Sequence, residues 1–380
     1  MTGYMTVEPR DPMIARDGRP FGTGARIHSL PWPYPQSMTG ALRTLAGTLK
    51  REFVPEELKL LEVAGPFPWH DKRKQLFLPA PADLVRMPEV HRCLRARPAR
   101  KYLAASNLPV GLAPCLLPGD LTEDFKPVEP PPFFSSGQVE QWLLEQADEF
   151  DFEAEAAQFC PFPEQERRGH VSINQETLSA EDAKLYRTTG LRFAEDMCMV
   201  LRFRPPESLR ACLDNVDLAF PTGGERRLAY WKRADLSEHA AAWQCPNRIR
   251  DTLSQPPETG TKQRVRLMLA SPAPFDAGWR PGWLDGKHEV PAGTGVVLKL
   301  VGACVPRWKA ISGWSLEKGK FGAKPVRRLA PAGSVYFCEV QEGDPSKLAS
   351  RWLESVCDRE ADMREGFGLA LWGTWSEHNG

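Results

Sequence analysis

Apolar and polar positions recur along this chain regularly enough to place most of its elements. Residues 4 to 10 read as a strand. Met38, Leu42, Leu45 and Leu49 then fall at helical spacing, which predicts a helix over 38–50 with one apolar stripe facing a sheet and Arg43 on another face. Pro35 closes the extended linker Leu30-Pro-Trp-Pro-Tyr-Pro, and Ser37 or Thr39 is placed to accept the first free backbone N–H groups as an N-cap. Glu56 to Leu61 extends helical structure, and Leu76 to Pro79 returns as a short extended piece. Cys198, Val200 and Phe203 punctuate an apolar strand that ends before Pro205-Pro206. A helix over 206–213 follows, then a strand after the Gly223-Gly224 turn, and strands beginning near Arg264, Gly295 and Gly333. Leu348, Trp352, Leu353 and Val356 form one stripe of a predicted helix over 347–357, and Gly368-Leu-Ala-Leu-Trp closes the chain as a strand.

From 197 onward the order is strand, helix, strand, strands, helix, strand. That is the order of a ferredoxin-like unit, the RRM architecture, with extra strands, and the N-terminal half opens with strand then helix in the same manner. The expected fold is α+β, two tandem ferredoxin-like domains with long Pro-rich insertions, one over 1–205 and one over 206–380. Between 109 and 163 the chain changes character. Val128-Glu-Pro-Pro-Pro-Phe-Phe and the acidic stretch from Glu140 to Glu155 read as an insertion over the surface of the first domain. Its charge repels phosphate, so its expected use is a protein contact.

Composition narrows the class. A chain of 380 residues with 42% hydrophobic and 26% charged residues can bury a core in two domains and is not a disordered protein. Lys+Arg and Asp+Glu balance at 49 each, so net charge neither supports nor excludes a nucleic-acid partner; the distribution of charge decides. The nine cysteines are an odd number without any Cys-x-x-Cys pair, which argues against a disulfide framework and a zinc knuckle and for reduced thiols in a cytoplasmic protein. The N-terminus lacks a basic region followed by an apolar core, and the longest apolar run, Gly295 to Val305, is broken by Lys299. Neither signal peptide nor membrane span is expected.

Candidate chemistry gathers near the start. Arg16, Arg19 and Arg26 precede the first helix, whose N-terminus offers unpaired N–H groups and the positive end of its dipole, so several donors can gather around one phosphate-bearing strand. The same arginines serve equally as solvated surface charge. Arg92, Arg95, Arg97, Arg100 and Lys101 beside Tyr102 form a second basic patch open to both readings, tracking a single strand through phosphates and stacking or facing solvent. Gly366 and Gly368 allow backbone to approach a ligand closely, with Arg364 beside them to hold a phosphate; the plain alternative is a strand-entry turn. No dinucleotide fingerprint, Walker loop or nucleophile elbow is present, and the histidines show no metal-ligand spacing. No cofactor and no metal are expected.

The runs Glu8-Pro-Arg-Asp-Pro, Arg16-Asp-Gly-Arg-Pro-Phe-Gly and Pro35-x-Ser-Met-Thr-Gly-Ala-Leu-Arg resemble the start of the family of third subunits of the Cmr complex, the type III-B CRISPR effector, within the RAMP superfamily. Later runs agree in the family's order: Pro221-Thr-Gly-Gly-Glu-Arg-Arg-Leu-Ala-Tyr, Ala270-Ser-Pro-Ala-Pro-Phe-Asp-Ala-Gly-Trp-Arg-Pro, Ser312-Gly-Trp with Lys324-Pro-Val-Arg-Arg, and Pro331-Ala-Gly-Ser-Val-Tyr-Phe. Gly366-Phe-Gly-Leu-Ala-Leu-Trp-Gly resembles the glycine-rich loop of RAMP proteins, with one residue fewer between the second and third glycines than the commonest spacing.

The resemblance implies two RAMP domains and a non-catalytic subunit that grips the 5′ tag of the CRISPR RNA. Its implied partners are the large polymerase-like subunit and the backbone RAMP subunits. It assigns RNA contacts to Arg16, Arg19, Arg26, His28, Ser37, Thr39, Arg43 and Arg364 and to the Gly366, Phe367, Gly368 loop, with Phe21 and Trp32 stacking on splayed bases. Two rivals stand beside it. One is a metal-independent endoribonuclease processing precursor RNA, with His28 as general acid or base assisted by Tyr34 or Lys50. The other is a scaffold that contacts only proteins.

Overall fold

The computed structural model describes residues 2–16, 26–27, 29–88, 93–105, 107–109, 111–118, 125–146, 150–257, 260–291, 293–315, 319 and 321–377. Its main elements in chain order are β1 (Gly3–Pro9), β2 (Arg26–Ile27), α1 (Pro35–Lys50), α2 (Pro55–Leu58), β3 (Glu62–His70), β4 (Gln75–Pro79), β5 (Phe133–Ser135), α3 (Ser136–Leu143) and β6 (Phe159–Cys160). Then come β7 (Glu164–Ile173), β8 (Ala180–Arg192), β9 (Met197–Arg204), α4 (Glu207–Leu213), β10 (Asp217–Pro221), β11 (Leu228–Arg233), α5 (Leu236–Ala242) and α6 (Asn247–Ser254). The last are β12 (Arg264–Leu269), β13 (Val297–Cys304), β14 (Trp314–Ser315), β15 (Gly322–Ala323), β16 (Val335–Glu342), α7 (Glu360–Arg364) and β17 (Ala370–Thr374). The protein is a mixed α/β fold built on antiparallel sheets.

The chain forms two compact units that interleave in sequence. Unit 1 takes residues 1–74, 162–236 and 310–328, and unit 2 takes 75–161, 237–309 and 329–380. A cut at 205/206 falls inside unit 1, because its sheet is completed only by β10 and β11.

In unit 1 the strands run β3-β9-β1-β11-β10, and each neighbouring pair is antiparallel. Met5 and Val7 of β1, Leu42 and Leu45 of α1, Met199 and Leu201 of β9 and Trp231 of β11 share one buried core. The stripe read from the sequence is the reason as far as Leu45: α1 buries Met38, Leu42 and Leu45 wholly, while Leu49 in its last turn is exposed. The expected side-chain cap is corrected. The helix begins at Pro35, its N-cap is Tyr34, and no side chain caps it. Pro is well suited to N1, where its missing N–H has no intrahelical partner to lose, and Thr39 is instead fully buried in the second turn.

Strand β3 escaped the sequence reading because it carries Pro66 and Pro68. The register of β3 on β9 shifts between Val200 and Arg202, so Gly65-Pro66 lies at an irregularity where a missing N–H donor is tolerated.

In unit 2 a four-stranded antiparallel sheet runs β13-β16-β12-β17, and a smaller one runs β4-β5-β6. The stretch 109–163, expected to cover a surface, supplies core to this unit. Phe134 meets Phe150, Phe152 and Phe159 at centroid distances of 5.5, 6.2 and 4.8 Å, and Trp142 packs on Phe150 at 5.9 Å. Only part of the acidic run is helix. α3 starts from Ser135, whose side chain accepts the N–H of Gln138, and it buries Val139, Trp142 and Leu143.

The predicted helix over 347–357 is also corrected. Residues 345–351 form a short 3-10 helix, and Leu353 adopts φ 54°, which stops any continuation. Leu348, Trp352, Leu353 and Val356 are nevertheless buried, so the apolar stripe reported burial correctly and the helix wrongly.

Candidate nucleic-acid interface

Unit 1 holds the long hairpin β7–β8 next to the N-terminal loop. Its base is tied to the segment that follows β1: Met13 and Leu191 exchange both backbone bonds, at 2.9 and 2.7 Å. Pro12 crosses so close to Gly190 that a Cβ there would lie 2.7 Å from the Pro12 ring, which is why glycine stands at that point. Ser29 pins the other end of the loop. The Ala15 N–H donates to Ser29 Oγ at 2.8 Å, and Leu30 N–H donates to the Ala15 carbonyl at 2.7 Å. The Gly223-Gly224 turn supports this segment from below, with Gly224 N–H donating to Ile14 O at 2.8 Å.

β2 then joins the hairpin as a parallel third strand, with Arg26 in register with Arg187 and Ile27 with Thr188. Arg26 and Ile27 are therefore part of the hairpin's sheet.

The hairpin is solvated on both faces. On one face His170 sits opposite Tyr186, their rings 4.8 Å apart and 12° from parallel, and His170 Nε2 is 2.8 Å from Thr188 Oγ1. Arg168 on the same face pairs with Glu166. On the other face Arg167 and Arg187 accompany Val171 and Leu185, all exposed. One face of the hairpin thus offers a base the ring pair as a stacking platform, and the other presents Arg167 and Arg187 as counter-charge for phosphates.

The residues expected from the sequence divide between the two units. Arg16 is exposed in unit 1, where it bridges to Ser29. Arg19, Phe21 and His28 lie outside the described residues. Trp32 is half-buried, donates its Nε1–H to Pro66 O at 3.0 Å and leans on Phe193 at 5.6 Å. Ser37 is half-buried in the first turn of α1, and its N–H donates to Tyr34 O at 3.0 Å. Arg43 donates from Nη2 to the carbonyls of Lys59 and Leu61 at 3.1 and 3.2 Å, which ties α1 to the end of α2.

In unit 2, Arg364 pairs with Glu360 one turn earlier on α7. Gly366 and Gly368 do have positive φ, 84° and 63°, but the loop is buried. The carbonyls of Gly366, Phe367 and Gly368 accept from Ser271 Oγ, Ser355 Oγ and Val356 N–H at 2.8, 2.6 and 2.9 Å, and Phe367 is wholly enclosed. This loop turns the chain into β17 and braces it.

Three arginines of the second basic patch are held by partners within the protein, while Lys101 stays exposed over the Tyr102 ring and Arg92 lies outside the described residues. Arg95 lies 3.5 Å over the Trp142 ring and is buried, Arg97 donates to Glu145 at 3.1 Å, and Arg100 pairs with Glu339 and Glu377. Lys50, a proposed assistant to His28, bonds Glu57 Oε2 at 2.6 Å, and that pairing holds its ammonium above its usual pKa. Lys50 ends α1 while Tyr34 precedes it, about 24 Å apart along a helix of this length. The two cannot serve one imidazole.

Sequence reasoning passed over the hairpin, although Arg167-Arg-Gly-His and Leu185-Tyr-Arg-Thr-Thr-Gly carried the signal in residues at alternate positions. Among the described residues no group of three or more His, Cys, Asp or Glu is placed to hold a metal, and no helix is long and apolar enough to cross a membrane.

Comparison with known families decides the lineage. The model of the CRISPR-associated protein family Cas_Cmr3 matches residues 5–375. The chain belongs to that family. With Cas_Cmr3 membership comes the coarse role, a subunit of a type III-B Cmr effector. No curated protein matches. Among solved structures, a chain of the type III-B Cmr-beta complex bound to cognate target RNA is similar at 16% identity and a TM-score of 0.47, over 88% of this chain and 86% of that one. A chain of the same complex with target RNA and AMPPnP is similar at 14% identity and a TM-score of 0.44, with the same coverage.

Proposed function

We propose that this Cas_Cmr3 chain is a non-catalytic RNA-binding subunit of the type III-B effector that holds the 5′ tag of the CRISPR RNA and docks on the large polymerase-like subunit beside the backbone RAMP subunits. The observation that carries the reading is the joining of the N-terminal arginine loop to the β7–β8 hairpin through β2. That junction sets Arg26, Arg167 and Arg187 and the His170–Tyr186 ring pair on one small sheet, with Arg16 bridged to Ser29 in the segment before it. Such a surface works by position: it holds phosphates and stacked bases in one register and needs no proton transfer. The strand order of the unit 2 sheet, second-third-first-fourth in chain order, and that of unit 1, the same with β10 added outside β11, support two tandem ferredoxin-like RAMP units.

The test is crosslinking of the assembled complex, followed by mapping of RNA-bound peptides. Crosslinks from 12–30 or 164–192 to the 5′ end of the guide, weakened in Tyr186→Ala and Arg187→Ala, are the expected result. RNA retained in the complex with no crosslink to this chain would leave a protein scaffold. Cleavage of repeat RNA in EDTA that is lost in His28→Ala would instead make the chain a ribonuclease.

A further inference from the structure

Within unit 1 the excursion 310–328 concentrates positive charge. In sequence it carries Lys318, Lys320, Lys324, Arg327 and Arg328 against Glu317 alone, in a chain whose charges cancel as a whole, and it is entered through Arg307-Trp-Lys. Its fold is held by backbone and amide bonds. β14 pairs with β15, Lys324 N–H donates to Gly313 O at 2.8 Å, and Ser312 Oγ donates to Lys324 O at 2.8 Å. Gln36 Nε2 donates to Ser312 O at 2.7 Å, which anchors the excursion on the first turn of α1.

The described side chains after this anchor point outward. Phe321 and Val326 are each 70% exposed, and Lys324 and Arg328 are exposed too. Lys324 and Arg328 stand two residues either side of Val326, at the entry to the strand Arg327–Leu329, so cations flank an apolar residue along the chain.

From this we infer a second binding surface for single-stranded RNA, made by Phe321, Lys324, Val326 and Arg328, which recognises any sequence through stacking and phosphate contacts. A protein-docking patch of the same apolar size would not need a cationic run with so little acidic compensation. A polyanion whose bases each present a flat face does. The surface is separate from the tag site proposed above and does not depend on the tag.

The experiment uses the purified full-length chain and a fluorescent 20-nucleotide oligouridine that lacks the tag, with anisotropy titrations at several salt concentrations. Lys324→Ala/Arg328→Ala should weaken binding and reduce the magnitude of the slope of log K against log salt by about 1.4, at about 0.7 per lost phosphate contact on a single strand. Phe321→Ala should weaken it by roughly five-fold to a hundred-fold. Tag crosslinks from 12–30 and 164–192 are read separately, in the assembled complex, so failure of the tag reading is told apart from failure of this one. As a check independent of any variant's folding, wild-type chain crosslinked to 4-thiouridine oligomer should yield an adduct within 319–328.

Unchanged affinity and slope in well-folded variants, or an adduct confined to other peptides, would overturn the inference. So would a variant complex that keeps oligouridine binding but loses a protein subunit, which would make the patch a protein contact.

Discussion

Arg266 donates from Nη1 to Asp83 Oδ2 across 2.7 Å, and neither side chain has any solvent exposure. Asp83 also accepts the indole N–H of Trp142 at 2.8 Å, and Arg266 reaches the Trp142 carbonyl with its other nitrogen. Removing one partner of such a pair strands the other charge in the core of unit 2. Asp83→Ala should therefore lower the free energy of unfolding by about 3–5 kcal/mol, measured by urea denaturation. A loss below about 1 kcal/mol would show that water takes the carboxylate's place.

Glu145 sits at the edge of this network. Burial pushes its carboxyl upward, but the nearby Arg266, the Ser376 hydroxyl, Arg97 and Arg95 outweigh that push and hold it below its ordinary value. A depressed carboxylate stabilises the fold above its unfolded pKa of about 4.3 and loses that contribution as pH falls through the lower folded value. The urea midpoint of the wild type should fall on acidification below the unfolded value of about 4.3, and Glu145→Gln should flatten that limb.

Arg43 has the pattern of a structural residue. Its two bonds to the Lys59 and Leu61 carbonyls are charge-assisted, and Arg43→Ala should cost about 1–3 kcal/mol of stability. Arg43→Lys should rescue this only in part, because an ammonium on a flexible stem lacks the planar fork. RNA affinity per folded molecule should stay at the wild-type level in both, as read by anisotropy after correction for the folded fraction.

Gly368 tests the buried loop. A Cβ at this position would lie 2.6 Å from Cys357 Sγ and 3.3 Å from the Cys357 nitrogen, at φ 63°. Gly368→Ala should destabilise by more than about 1 kcal/mol. A lowered thermal midpoint with RNA affinity unchanged at low temperature would separate this bracing role from ligand contact.

Much of the architecture was legible because local pattern and tertiary role coincide. The Met38, Leu42, Leu45 stripe, the apolar β9 and the closing β17 all bury what the spacing says they should. Where they part, the sequence misleads in definable ways. The hairpin β7–β8 is solvated on both faces and mixes Arg167 and Arg187 with Val171 and Leu185 on one of them, so its alternation lacks the apolar-against-polar contrast of a half-buried strand. Arg95, Arg97 and Arg100 look like a solvated run because their partners, Trp142, Glu145, Glu339 and Glu377, lie far away along the chain. The acidic, Pro-rich composition of 109–163 hid the phenylalanines that matter there, since average polarity says nothing about which few side chains meet.

The candidate site was half legible. Arginine content pointed to the loop before α1, but no local pattern could report that β2 would pair with residues 187 and 188.

Strand β1 is hydrogen-bonded to β9 on one side and β11 on the other, pairing Gly3 with Phe203 and Thr6 with Lys232. On a ribosome adding about 5–20 residues per second, the first strand made waits roughly 10 to 45 s for its last neighbour to be synthesised. Until then its apolar residues and open edge need shelter from other nascent chains. A fragment ending at residue 205 would keep one of those edges bare for good, so expression trials that divide this protein at its apparent midpoint should yield aggregates, and a shortened chain that stays soluble would have to carry residues through 233.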